Sequence, residues 1–405
     1  MTRRPVTAPY SEPLLPQLDI DNPYYTDLHR NLRAYVRDYV ESSIAPYAQD
    51  WEAAGEVPES VRLRHCALGF NIVHPLTTPE DAAGLSLPGN VPRDRWDTWC
   101  SLIVTDELAR VGFIGVIWGL GGGNAIGCPP IARFGSPEQR RRWLPGVAKG
   151  ELRFCLGITE PDGEDSSSGT SLIYLDRTLP TSAQPREERE TTTSSTAQRN
   201  GSPTASGPTT APLRCALADQ DERESACLSF LSTRRASLAS ECTILESMRA
   251  LFDSPESAPR TPSITPPSER RSAPLSLREQ VIQSKIFKFG LLIEPVQSFM
   301  EQLVYIIESS KDRPDHEVNI GGMTALLKVM ATRALEKCVR EAQQIMGGAG
   351  YNKAGKGARV EQISRDVRVH VVGGGSEEIL MGLALQEEMK ALRVRQKALK
   401  NAAKL

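Results

Sequence analysis

Residues 166–275 constrain this chain more than any other feature, because their composition cannot support a core. Of these 110 residues, 45 are Ser, Thr or Pro. Hydrophobic periodicity fades across them and Arg and Glu are scattered without a face, so too little apolar surface is available to offset the entropy of ordering. The stretch 166–276 therefore reads as a low-complexity, disordered segment of the kind used as a linker. It divides the chain into two parts, each of which must find a core.

Both parts read as helical. Within 22–150, Leu28, Leu32, Tyr35, Val36 and Tyr39 recur at helical spacing. Ser136-Pro137-Glu138 reads as a helix start, with a capping Ser, a Pro at the first position and an acid in the first turn. Trp143 and Leu144 are expected to face inward, and Pro145 to mark the exit. Within 277–402, Leu326, Met330, Ala334, Cys338, Ala342 and Ile345 trace one apolar stripe that stops at Gly347-Gly348. A last helix starts near Ser376, a plausible cap, with Glu377 and Glu378 in its first turn. The expected class is mainly α, with an antiparallel helical bundle at the C-terminal end.

Charge and cysteine usage narrow the partners. With 48 Lys and Arg against 50 Asp and Glu, no strong field favours nucleic acid or an anionic membrane. No apolar run reaches the roughly 20 residues of a bilayer span. The eight cysteines form no Cys-x-x-Cys pair, and His29, His65, His74, His316 and His370 show no ligand spacing, so no metal is expected. Gly121-Gly122-Gly123 lies between helical segments, which excludes a Rossmann phosphate loop.

Short motifs carry a sharper signal. Arg153-Phe154-Cys155-Leu156-Gly157-Ile158-Thr159-Glu160-Pro161-Asp162, preceded by Phe134-Gly135-Ser136-Pro137-Glu138-Gln139 and Leu144-Pro145-Gly146-Val147-Ala148-Lys149-Gly150-Glu151, resembles the approach to the middle β-domain of acyl-CoA dehydrogenases. Ala342-Gln343-Gln344-Ile345-Met346-Gly347-Gly348-Ala349-Gly350-Tyr351 resembles that family's Gln-Ile-x-Gly-Gly-x-Gly motif. Arg365-Asp366-Val367-Arg368 followed by Gly373-Gly374-Gly375-Ser376-Glu377-Glu378-Ile379 resembles its last signature.

The resemblance implies a helical N-terminal domain, a β-barrel starting at 151–165, a C-terminal bundle and bound FAD. It assigns the cofactor to Leu156, Ile158 and Thr159, to Gln344, Gly347 and Gly348 (serving a neighbouring subunit), and to Ser376 and Glu378. It also implies an acyl-CoA substrate, an unidentified electron acceptor and a homo-oligomer, dimer or tetramer.

Three departures qualify that picture. The barrel expected after Thr159 is mostly missing from the written sequence, which implies a weakened flavin site. Shifting the reading frame to the third base lets Glu190–Cys215 encode a segment that resembles the absent flavin strands, Glu241–Ala250 another middle-domain pattern and Ser268–Ser276 the family's Arg-x-x-Phe-Gly cofactor motif, so 166–276 is read as a real insert or as an out-of-frame segment. Gly163-Glu164-Asp165 stands where the family carries Gly-Ser-Asp.

The catalytic base is not assigned. In one branch of the family it precedes the final glycine turn, where this chain has Gly374. In the other branch it would fall before residue 268, inside the anomalous segment. Glu377 and Glu378 are read as stabilisers of a helix start rather than as bases. Ala403-Lys404-Leu405 resembles the Ser-Lys-Leu peroxisomal address, which favours a peroxisomal or cytoplasmic location over a mitochondrial one. Against the enzyme stands a second reading, a non-catalytic interaction protein on a dehydrogenase scaffold.

Overall fold

The structure, a computed structural model, describes residues 10, 13, 24–73, 78–154, 280–311 and 319–402. The expectations for 155–279 and for Ala403-Lys404-Leu405 lie outside these residues. Among the described residues, every regular element is helical.

In the N-terminal part, α1 (Asp27–Ser43), α2 (Ala48–Ala54), α3 (Glu59–Ala67) and α4 (Thr98–Ala109) precede a broken stretch. There α5 (Ile114–Ile117), a π turn (Trp118–Gly122), α6 (Gly123–Gly127) and α7 (Pro129–Phe134) lead into α8 (Pro137–Lys149). Leu32, Val36, Tyr39 and Val40 form the buried face of α1, which packs on α4. Alongside this apolar seam, Arg37 makes a two-pronged contact with the fully buried Glu107 through Nε (2.7 Å) and Nη2 (2.8 Å), while Arg33 bridges Asp106 and Glu107. Removing one member would strand a buried charge, so the network fixes the pairing of the two helices.

Helix α8 corrects one expectation. Its start is as expected: the Ser136 hydroxyl accepts from the Gln139 amide at 3.2 Å, and the Gln139 side chain accepts from the Ser136 amide at 2.8 Å. Pro145, however, lies inside the helix, which runs on to Lys149 and ends at left-handed Gly150. The bond Pro145 cannot make would go to the carbonyl of Arg141, an exposed residue.

In the C-terminal part, α9 (Gln280–Ser310), α10 (Gly321–Met346), α11 (Ala358–Val372) and α12 (Glu377–Ala402) form a bundle around α10, which touches the other three. The apolar stripe expected on α10 needs a second correction, since Leu326 is 52% exposed. Steps of four residues overshoot a turn by about 40° each, so a stripe read backward from Ala342 rotates out of the core by Leu326. Ala334, Cys338 and Ala342 of that stripe are buried as expected, and Leu327, Ala331 and Leu335 take the interior places nearer the helix start.

The two parts share one core, running from Leu32 and Ile103 to Met300, Leu303 and Leu335. Helix α9 docks on the N-terminal part through Tyr305 edge-on to Tyr24, with centroids 5.4 Å apart, and through Glu308, which accepts from the Thr98 amide at 2.7 Å. That bond places a carboxylate at the N-terminus of α4, where the helix dipole favours it.

Candidate cofactor site

The first glycine turn follows α10. Gly347 has φ +58°, ψ −136°, a conformation in which a side chain would be strained. A Cβ on Gly347 or Gly348 would meet no atom within 4 Å, and both residues are exposed. The turn is closed from within: the Gln343 amide donates to the Gly350 carbonyl at 3.2 Å, and Gly357 lies so near the Ala349 carbonyl that a Cβ would be 1.9 Å from its oxygen. Gln343 is thus used internally, while Gln344 is exposed. Beside them Tyr351 is 87% exposed.

The second glycine turn, Gly373–Gly375, joins α11 to α12. Gly374 (φ +75°) is exposed with open space around it, and Gly375 has φ +109°. Lys328, buried on α10, holds this turn: its Nζ donates to the Val371 carbonyl at 2.8 Å and the Gly375 carbonyl at 2.7 Å. The Ser376 carbonyl accepts the Leu380 amide at 3.0 Å, placing Ser376 at the cap position of α12. Glu377 pairs with Arg333, and Glu378 points to solvent.

These turns sit at opposite ends of α10. From Lys328 to Met346 the helix spans roughly 27 Å. One chain therefore does not bring Gln344, Gly347 and Gly348 together with Ser376 and Glu378. Leu156, Ile158 and Thr159 lie outside the described residues.

The segment just before those three positions is held firmly. The Asn71 amide donates to the Val147 carbonyl at 3.3 Å and to Cys66 Sγ at 2.9 Å, and Arg62 donates to the Gly150 carbonyl. Asn124, buried, accepts from the Phe154 amide at 2.7 Å. The glycines of the π turn serve packing: a Cβ on Gly119 would be 2.8 Å from Val57, on Gly121 2.1 Å from Asn71, and on Gly122 2.4 Å from Trp118.

A carboxylate pair lies where α2 meets α11. The Gln362 amide donates to Glu52 and to Asp366, 3.0 Å each, and the Ile114 amide donates to Asp366 at 3.2 Å. Burial, together with the nearby Glu52, pushes the Asp366 carboxyl up to about 6, against the pull of its hydrogen bonds and Arg365. The nearest metal-like grouping among the described residues, His29, Asp97 and Cys100, has its own internal logic. Thr26 donates its amide to His29 Nδ1, Nε2 meets Asp97, and Asp97 caps α4 at Cys100. Burial raises the Cys100 thiol to about 12, so it stays protonated.

Lys328, Asn124 and Glu52 were not singled out from sequence, and Gln343 and Asp366 entered only as motif residues, without these contacts. A lone lysine on the inner face of α10 was the available signal for Lys328, since an amine is buried only when held. The others depend on which carbonyl or amide a long-range contact supplies, and no local pattern encodes that.

Known proteins extend these observations. The family described as acyl-CoA dehydrogenase, N-terminal domain, matches residues 26–151, and the one described as acyl-CoA dehydrogenase, C-terminal domain, matches residues 269–389. The chain is 34% identical to acyl-CoA dehydrogenase AFT10-1 of Alternaria alternata, over 95% of this chain and 97% of the relative. That alignment has 441 positions, more than the 405 residues of the chain, so the relative carries stretches absent here. Among solved structures, a putative acyl-CoA dehydrogenase of Mycobacterium smegmatis superposes with a TM-score of 0.63 at 19% identity, covering 90% of this chain and 99% of that one. A Bacillus anthracis acyl-CoA dehydrogenase complexed with FAD gives 0.61 at 18% identity, covering 94% and 71%.

Proposed function

The chain belongs to the acyl-CoA dehydrogenase family, and on that premise we propose that it binds FAD and an acyl-CoA thioester and removes hydrogen across the α,β carbons of the acyl chain. The observation that carries this reading is the 34% identity along 95% of this chain to a relative of that name, coinciding with an open glycine turn at Gly347-Gly348.

FAD is the family's cofactor, and the described residues fit it in part. Gly347 and Gly348 expose bare backbone that a polar or anionic group can approach closely, with Gln344 exposed beside them. Ser376 and the first-turn amides of α12 offer a second polar surface, steadied from beneath by Lys328. Leu156, Ile158 and Thr159 would line the ring. Bound FAD would supply the hydride acceptor. The protein's own part is to orient the thioester, exclude water and hold a base near the α-proton.

Because the two glycine turns face opposite ends of α10, a site that uses both is completed by a second copy of the chain. This supports a homo-oligomer, dimer or tetramer. Among the described residues no helix is long and apolar enough to cross a membrane. Peroxisomal import rests on Ala403-Lys404-Leu405 alone, and redistribution of a tagged chain on deleting them tests it.

A second reading, a non-catalytic scaffold, is favoured by Gly374, which stands at one branch's base position and can accept no proton. Purification with added FAD separates the two. A yellow protein that passes electrons from acyl-CoA to an artificial acceptor supports the enzyme, and a colourless one that binds other proteins supports the scaffold.

A further inference from the structure

Helices α10 and α12 lie antiparallel. Near the start of α12, Arg333 pairs with Glu377. Further along, a Cβ on Gly322 of α10 would be 2.8 Å from Glu387 Cβ, and Asn319 donates to Glu387 at 2.5 Å. Since α10 begins at Gly321, α12 continues past the end of its support. From Glu388 to Lys397, and at Leu399 and Lys400, every residue is exposed. The second half of this 26-residue helix therefore stands off the bundle. A helical segment of that length with no packed face is marginal in water.

The exposed surface of α12 is not uniformly polar. At roughly 100° per residue, Met381, Leu385, Met389, Leu392 and Leu399 fall within one narrow arc. It faces away from Leu380, Leu383 and Ala384, which pack on Ala325 and Val329. Leu385 and Leu399 are 66% and 70% exposed, and Met381, Met389 and Leu392 are exposed as well. Charge is divided along the same helix. Residues 377–388 carry Glu377, Glu378, Glu387 and Glu388 and no base, whereas residues 389–402 carry Lys390, Arg393, Arg395, Lys397 and Lys400 and no acid. The helix dipole accounts for charges in the first and last turns only. It does not account for the reversal of sign between Glu388 and Lys390, in the middle of the helix.

A second copy of the same helix, laid antiparallel, answers both features. A two-fold axis near Met389 covers the apolar stripe with itself and sets each acidic half along a basic half. A parallel pair would set like charges together. We infer that α12 is a self-association surface on which two copies of the chain pair antiparallel through Leu385, Met389 and Leu392. The contact needs no flavin, so it goes beyond the cofactor reading and adds an interface separate from the glycine turns.

The test is sedimentation of the full-length, flavin-free chain, which is expected to associate. Leu385→Asp combined with Leu392→Asp, both at exposed positions, is expected to halve the sedimenting mass by weakening the contact on the order of 100-fold or more. Charge reversal supplies the second arm. Arg393→Glu with Arg395→Glu in one chain, and Glu388→Arg in another, are each expected to associate more weakly than wild type. An equimolar mixture of these two variants is expected to associate more tightly than either alone, because each restores the opposite charge that the other has lost. A monomeric wild-type chain overturns the proposal. So does wild-type association in the leucine variant, or a mixture no tighter than its parts. None of these outcomes depends on FAD, so failure of the cofactor reading is a separate result, read by flavin binding alone.

Discussion

The Nζ of Lys328 lies 2.7 Å from the carbonyl oxygen of Gly375, so a buried ammonium of one helix holds the glycine turn that opens another. The same Nζ reaches the Val371 carbonyl in the last turn of α11, where the helix dipole favours a cation. The turn carrying Gly374 and Ser376 therefore owes its position to α10 as much as to its own glycines.

Replacing Lys328 with Met keeps the aliphatic stem and strands both carbonyls. The expected loss is at least about 2 kcal/mol, since hydrogen bonds to a charged group contribute about 1.5–3 kcal/mol each. Urea unfolding of Lys328→Met measures it. His370 offers an independent readout: burial first, and then Lys328, push its imidazole down to about 4. In Lys328→Met the His370 resonance is expected to titrate at higher pH by NMR.

Asp366 should make stability fall with rising pH. Its carboxyl is held at about 6 against an ordinary 3.8. Between those values the folded state keeps a proton that the unfolded state has released. The contribution is therefore fully present below 3.8 and is lost as pH rises through about 6. Asp366→Asn retains an acceptor for the Ile114 amide and abolishes this slope. Relative to wild type it is expected to gain on the order of 1–2 kcal/mol at neutral pH after solvent screening. Unfolding free energies across that window check the sign.

Gly348 is exposed with nothing near the position of a Cβ. Gly348→Val should leave the stability of the isolated, flavin-free chain within about 0.5 kcal/mol, as for other open surface positions. It should nevertheless weaken FAD retention and self-association together, because the proposed cofactor and second copy would occupy that space. Sedimentation and flavin titration of one sample read both effects.

Glu377 is committed to Arg333, and Glu378 is exposed at a helix start. Glu378→Gln is expected to leave the rate of flavin reduction by acyl-CoA within about twofold, whereas losing a catalytic base costs 100-fold or more, on the order given for proton transfer. A stopped-flow comparison distinguishes them.

Much of this architecture could be read directly from residue patterns. The buried face of α1, the capping box at Ser136 and the glycine stop after Met346 are local patterns, and local patterns survive folding. Pro145 and Leu326 misled for physical reasons. A proline is tolerated where the orphaned carbonyl belongs to an exposed residue, and a four-residue stripe drifts around a helix with a repeat of 3.6. The glycine motifs pointed to two cofactor surfaces, but their separation along α10 needed three dimensions. Lys328, Asn124 and Asp366 act through backbone groups 30 to 252 residues away, so pairing rather than residue type defines them.

The most direct measurement is anaerobic titration of the purified chain, supplied with excess FAD and then freed of unbound cofactor, with a series of acyl-CoA thioesters. The account predicts a bound oxidised flavin whose visible absorbance bleaches on adding at least one thioester and returns with an electron acceptor. A chain that keeps no flavin, or keeps one that no acyl-CoA bleaches, would contradict it.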